Sequence, residues 1–171
     1  MKILNINSRQ LVSSLGEAGT LIDSLSSNND RLWPRDTWPP MKFDRELKVG
    51  ANGGHGPVRY EVVEYVPGRK VLFRFNAKRG PCVGLKGNHG FHIESESGGN
   101  IVLKHILEGD CYGAMALRWT LVFEPLHNAL IEDALDRAEL VLTGKIISAA
   151  KWGIKVNLLR AVVRAATSFV R

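Results

Sequence analysis

Apolar and polar side chains alternate through the middle of this chain, whereas a repeat of three to four residues governs both ends. Alternation predicts strands that bury one face, and the longer repeat predicts helices that bury one stripe. Residues 2–12 read as a strand, and Leu15–Ser26 carries Leu15, Ala18, Leu21, Ile22 and Leu25 at helical spacing. Further strands are predicted at about 41–49, 57–66, 69–76, 87–95, 100–108 and 112–124. Turn-forming Pro67–Gly68, Ser97–Gly98–Gly99–Asn100 and Gly109–Asp110 separate the later ones. After Pro125 the pattern turns helical, with Leu126, Leu130, Ala134 and Ala138 on one stripe and Gly144 and Gly153 as the internal breakers. This order predicts an α+β domain in which a curved seven-stranded antiparallel sheet grips a long C-terminal helix.

Charged side chains mark the outer face of each strand and thereby identify the inner one. Arg59 and Glu61 turn Val58, Tyr60 and Val62 inward, and Lys70 and Arg74 do the same for Val71, Phe73 and Phe75. His89, Phe91 and Ile93 share a face opposite His92 and Glu94. Ile101, Leu103, His105 and Leu107 lie opposite Lys104. Read as a strand, 112–124 sends Met115, Leu117, Trp119, Leu121 and Phe123 inward. The expected interior is aromatic, with Tyr60, His89 and His105 as its polar groups. If the Ser97–Asn100 turn sets Ile93 opposite Leu103, Phe91 faces His105 and His89 lies diagonal to it, roughly 7–8 Å away at Cα.

The connector from Arg31 to Tyr60 is the densest stretch of unusual residues, with two of the four tryptophans and a glycine-histidine cluster, GANGGHG. Proline disfavours helix in the residue before it, so Trp33–Pro34 and Trp38–Pro39 hold the backbone extended. Trp33 and Trp38 are expected to cap one end of the grip. GANGGHG lacks the lysine of a phosphate loop and leads into a strand, so it is expected to form a turn with positive φ at one or more glycines. That would leave His55 on a lip beside the interior.

With 171 residues and 44% apolar content the chain suits one domain with a sizeable core and an appendage. Charge divides it: residues 1–139 balance 17 basic against 17 acidic side chains, and the six remaining basic residues follow Leu140 with no acid among them. The body therefore lacks the basic surface of a nucleic-acid-binding domain. Cys82 and Cys111 have neither metal-like nor redox-like spacing, and no secretory leader or membrane-spanning run is visible; a reduced, cytoplasmic protein is expected. On a helical wheel from Trp152, Gly153, Arg160, Arg164, Thr167, Ser168 and Arg171 share one sector. Ile154, Leu158, Leu159, Ala161, Val162, Phe169 and Val170 fill most of the rest. Residues 1–143 thus read as the domain and 144–171 as a basic amphipathic extension that packs on the domain, on a second copy or on an anionic membrane.

The segments RLWP, WPPMKF, VGANGGHGPVRYEVVEYVPGR, FRF and FEPLHNALIEDALDRAE resemble a bacterial branch of the START-like, SRPBCC superfamily, over roughly Met1–Glu139. That resemblance implies the helix-grip fold and a hydrophobic or amphipathic small molecule held non-covalently between sheet and helix. It also admits a cyclase or dehydratase acting on a polyketide-like substrate, since the same fold hosts both.

Candidate ligand-contacting residues are Trp33, Trp38 and His55 around the mouth, and Tyr60, Phe73, Phe75, His89, Phe91 and His105 along the inner face. Met115, Trp119 and Leu130 complete the set. His89 and His105, with Tyr60, are the catalytic candidates, since imidazoles titrate near neutrality and can serve as acid and base. A buried histidine bonded to a neighbour is the ordinary alternative. No metal is expected, because His89 and His92 project to opposite faces of one strand, and no cofactor is called for. A nucleophile elbow is absent from the sequence.

Overall fold

The computed structural model describes residues 1–95 and 100–168, with side chains through Val163. Seven antiparallel strands form one sheet: β1 (Lys2–Leu11), β2 (Met41–Phe43), β3 (Asn52–His55), β4 (Val58–Val66), β5 (Lys70–Phe75), β6 (Leu85–Ser95) and β7 (Ile101–Cys111). Their order is β1-β7-β6-β5-β4-β3-β2, so the chain meanders from β2 to β7 and the first strand closes the far edge. Helix α1 (Leu15–Asp23) follows β1. It starts where Ser14 and Glu17 cap each other's backbone N–H groups, which removes two unpaired donors at the helix end.

Segment 112–124 is not a strand. It forms a short helix α2 (Ala114–Arg118) and a π-helical segment (Trp119–Phe123) that run directly into α3 (Glu124–Thr143). The apolar residues of this stretch satisfy two periods at once. Met115 and Trp119, four apart, are buried, whereas Leu117 and Leu121 are 65% and 49% exposed. A helix buries every fourth residue, and this stretch had to choose one period. The sheet still has seven strands, because the expected strand at 41–49 shortens to β2 and a further strand, β3, forms within GANGGHG, where a turn was expected. GANGGHG supplies β3 itself, with Gly56 at φ 50° turning the chain into β4.

Inner faces follow the alternation. Tyr60, Val62, Val71, Phe73, Phe91, Ile93, Ile101, Leu103 and Leu107 are all buried. Across β6 and β7, Phe91 pairs with His105 and Ile93 with Leu103, the register that the expected turn requires. That turn falls at residues 96–99, outside the described residues. Helix α3 covers the sheet with Leu130, Ile131, Ala134, Leu135 and Ala138 and ends at Gly144, whose φ of 74° suits glycine. Arg9 on β1 ties strand to helix, with its guanidinium 2.8 Å from Asp136 and Glu139 and 3.1 Å from Glu132.

The buried apolar residues fall into two clusters. One joins α1, the Trp33 loop and most of α3 to strands β4–β7. The other gathers Ile3, Cys82, Leu85, Leu107, Cys111, Met115 and Trp119 at the opposite end.

Helix α4 (Ile154–Ser168) lies against α3. The Asp133 carboxylate accepts both indole N–H groups, from Trp38 at 2.7 Å and Trp152 at 3.0 Å. The Arg160 guanidinium lies 4.2 Å from the Trp38 ring centre and 3.6 Å from that of Trp152, a cation held between two aromatic faces. Ahead of the helix, the backbone N–H groups of Ile147 and Ala150 donate to Glu139 and Asp136. The extension thus turns its basic Arg160 toward the domain and leaves Ile154, Leu158 and Val162 exposed. Wheel positions from Arg164 onward lie outside the described side chains.

Candidate histidine site between sheet and helix

Three strands and the gripped helix bring a line of polar rings into the interior between the two apolar clusters. Strand β4 supplies Tyr60, β6 His89, β7 His105 and the first turns of α3 His127. The ring centres step across the sheet at 4.9 Å from Tyr60 to His89, 5.5 Å from His89 to His105 and 4.9 Å from His105 to His127. His89 Nδ1 and His105 Nε2 are 3.3 Å apart, within hydrogen-bonding reach. His55 extends the line at its β3 end, where its Nδ1 lies 3.2 Å from the Tyr60 hydroxyl.

Aromatic rings wall the line in. Phe75 stacks on His89 at 4.5 Å, Phe73 lies 5.2 Å from it, Phe91 meets His105 edge-on at 4.8 Å, and Trp119 sits 6.1 Å from His127. Surrounded this way, the imidazoles lose the water that would stabilise their charged forms. Burial pushes His89 and His105 well below the ordinary histidine value, and the other histidines of the line add to it. Burial pushes half-buried His55 down to about 3 and His127 to about 4. The Tyr60 hydroxyl moves the other way, well above its ordinary value, also through burial. All members of the line are neutral near pH 7.

Their hydrogen bonding is incomplete. His89 Nε2, His105 Nδ1 and both ring nitrogens of His127 are buried without a hydrogen-bond partner among the described residues. The neighbouring Asn128 side chain opposes the downward shift of His127, yet it satisfies neither ring nitrogen in hydrogen-bond geometry; it accepts from Asn5 at 2.9 Å instead. A buried polar group left unsatisfied would cost roughly 1–3 kcal/mol, so these four nitrogens are positions where a polar partner can bind.

The other expected site residues divide. Trp33 is buried in the apolar core, its indole N–H donating to the Pro39 carbonyl at 2.9 Å and its ring 4.8 Å from His55. His55 therefore belongs to a strand and is held between Trp33 and Tyr60, in place of the expected lip. Trp38 does not cap the grip; it faces the extension. Met115 and Trp119 are buried in the second apolar cluster, and Leu130 lies in the first. A groove of about 610 Å³ opens between α3 and the extension, lined by Pro34, Thr37, Asp133, Arg137, Leu140 and Trp152 among others. It includes none of the polar line.

His127 is the member that strand alternation could not supply. It stands four residues before Ile131 and eight before Leu135, both buried, so this second α3 stripe was the available signal. Among the described residues, no group of three or more His, Cys, Asp or Glu side chains is placed to hold a metal ion. His92 projects to the outer face beside Lys70 and Lys104, across the sheet from His89. No helix among the described residues is long and apolar enough to cross a membrane.

No family model and no curated protein sequence matches the chain. Solved structures do match in fold. Norcoclaurine synthase from Thalictrum flavum superposes with a TM-score of 0.62 at 13% identity, over 84% of this chain and 88% of that one. Major latex-like protein 151 from Panax ginseng gives 0.61 at 10% identity, over 83% and 98%. A protein from Nitrosospira multiformis gives 0.61 at 12% identity, over 82% and 97%. At such identities the likeness is one of fold: with the strand order and the gripped helix, it gives this chain the helix-grip fold that these structures share.

Proposed function

We propose that this protein binds an amphipathic small molecule non-covalently between sheet and α3, with its polar group on the histidine line and its apolar part among Phe73, Phe75, Phe91 and Trp119. The observation that carries this reading is the set of four unpartnered ring nitrogens inside an aromatic enclosure. Neutral imidazoles offer one donor and one acceptor each, so they suit an uncharged hydroxyl, carbonyl or amide better than a carboxylate. Norcoclaurine synthase, of the same fold, has been captured with a transition-state analogue, which supports a small molecule as the occupant. Access would run past the π-helical segment Trp119–Phe123, since π-helical turns are rare and often mark functional sites. Native mass spectrometry of protein purified from its own host tests the reading. A small molecule lost on collisional activation is expected, and bare protein would count against it.

A second reading concerns the extension. Ile154, Leu158 and Val162 recur every fourth residue on α4 and are 89%, 64% and 59% exposed, flanked by exposed Lys151 and Lys155. An apolar stripe beside basic and no acidic side chains fits an anionic lipid surface. A second copy would bring lysine against lysine across a two-fold axis. Full-length protein should co-sediment with vesicles containing phosphatidylserine and lose that binding in L158E. Equal sedimentation of the two proteins would dismiss this reading.

A further inference from the structure

We propose that His89 and His105 form one tautomeric unit that relays a proton along the line without either ring becoming charged. The proposal rests on the reading that a small molecule occupies this interior, and it names what the pair would do to that molecule. The geometry is the 3.3 Å approach of His89 Nδ1 to His105 Nε2, which leaves the other nitrogen of each ring, His89 Nε2 and His105 Nδ1, unpartnered among the described residues.

A neutral imidazole carries one N–H and one lone pair. One hydrogen bond between the rings therefore fixes both tautomers together. When His89 Nδ1–H donates to His105 Nε2, His105 must carry its proton on Nδ1, and His89 Nε2 is a bare acceptor. When His105 Nε2–H donates to His89 Nδ1, His89 carries its proton on Nε2, and His105 Nδ1 is bare. In both states the pair presents one donor and one acceptor at its two free nitrogens. The states interconvert by moving protons alone. A proton arrives at His89 Nε2, the Nδ1 proton of His89 passes to His105 Nε2, and His105 releases its own Nδ1 proton. One proton enters and one leaves, both rings end neutral with their tautomers exchanged, and no oxidation state changes.

The surroundings suit this route. His89 abuts Tyr60, and His105 abuts His127, so the pair links the β4 side of the interior to α3. The ionisable groups that act on the pair are His55, His92 and His127, with Tyr60 in contact; none is a carboxylate that would hold an imidazolium. Burial disfavours a stepwise path through a charged ring, and a concerted transfer avoids one. The fitting substrate is an uncharged molecule that gives up a proton at one atom and regains one at another, as in keto-enol interconversion or migration of a double bond. No oxidant, reductant or second substrate is required.

The test reads ring tautomers by nitrogen-15 NMR of histidine-labelled full-length protein, stripped of small molecules, near pH 7. H89Q and H105Q serve to assign signals. The expected result is the same tautomer on both residues, both Nδ1–H or both Nε2–H, and joint exchange wherever two forms are populated. Opposite tautomers, independent exchange or an imidazolium at either position would overturn the relay. Because the stripped protein is measured, this outcome is separate from whether a ligand binds. Should both variants fail to fold, nitrogen-to-proton correlations in the wild type assign the pair through the neighbouring Phe75 and Phe91 rings.

Discussion

The two ends of the space between sheet and α3 are built from the same elements and differ in how completely they are satisfied. Toward the C-terminal half of α3, Leu130, Ile131, Ala134, Leu135 and Ala138 close on Val71, Phe91, Ile93 and Leu103 with no polar atom among them. Toward its N-terminal turns, His127 comes down on His89 and His105, and four ring nitrogens there have no partner among the described residues. The first end is what a gripped helix requires to stay in place. The second carries polar atoms that the grip itself does not need, and the proposed ligand would give them partners.

Substitutions at the two ends should separate these roles. L135A opens a cavity at a site with no exposed surface and should lower the unfolding free energy by about 2–5 kcal/mol in urea, with ligand occupancy unchanged in the molecules that remain folded. H105F should cost about 1–3 kcal/mol, because it strands His89 Nδ1. The double variant H89F/H105F removes both partners and should regain that loss, to within about 1 kcal/mol of wild type, while abolishing ligand retention. A double variant less stable than the single one would contradict the contrast.

Acid should act on the histidine end before the apolar end. The folded values of His55 and His127 are depressed to about 3 and about 4, below the ordinary 6.5. Between these values the unfolded chain binds more protons than the folded one, so this stabilisation is complete above about pH 6.5 and falls away as pH drops toward 4. Denaturation midpoints from pH 8 to pH 4 check it, and H89F/H105F should show a shallower fall. The smallest effect belongs to the extension. R160A removes the cation between Trp38 and Trp152 and should loosen residues 144–168 by about 0.5–2 kcal/mol, read as faster proteolysis there with the domain's own unfolding midpoint unmoved.

Much of this contrast was legible in the sequence, and its gaps have physical causes. Strand alternation set His89 and His105 on the inner face in the observed register, because a one-residue slip would have turned Phe91 and Leu103 to solvent. It failed at 112–124, where Met115, Trp119 and Phe123 fit a helix as well as a strand and only packing decides. The stripe through Leu126 and Leu130 does not reveal His127, because the face that α3 turns to the sheet is wider and takes in Ile131 and the half-buried His127. Local sequence puts Trp38 at the mouth, because its partners, Asp133 and Trp152, are far away in sequence. Nothing local revealed that they meet.

The central claim is that the unpartnered imidazoles hold a bound small molecule. It is tested most directly by histidine ring spectra of the protein as purified from its own host, compared with the same protein unfolded, extracted with organic solvent and refolded. The account predicts that His89, His105 and His127 signals move on extraction, while His92 on the outer face stays put. Unchanged signals at all three inner rings, or an equal shift at His92, would contradict it.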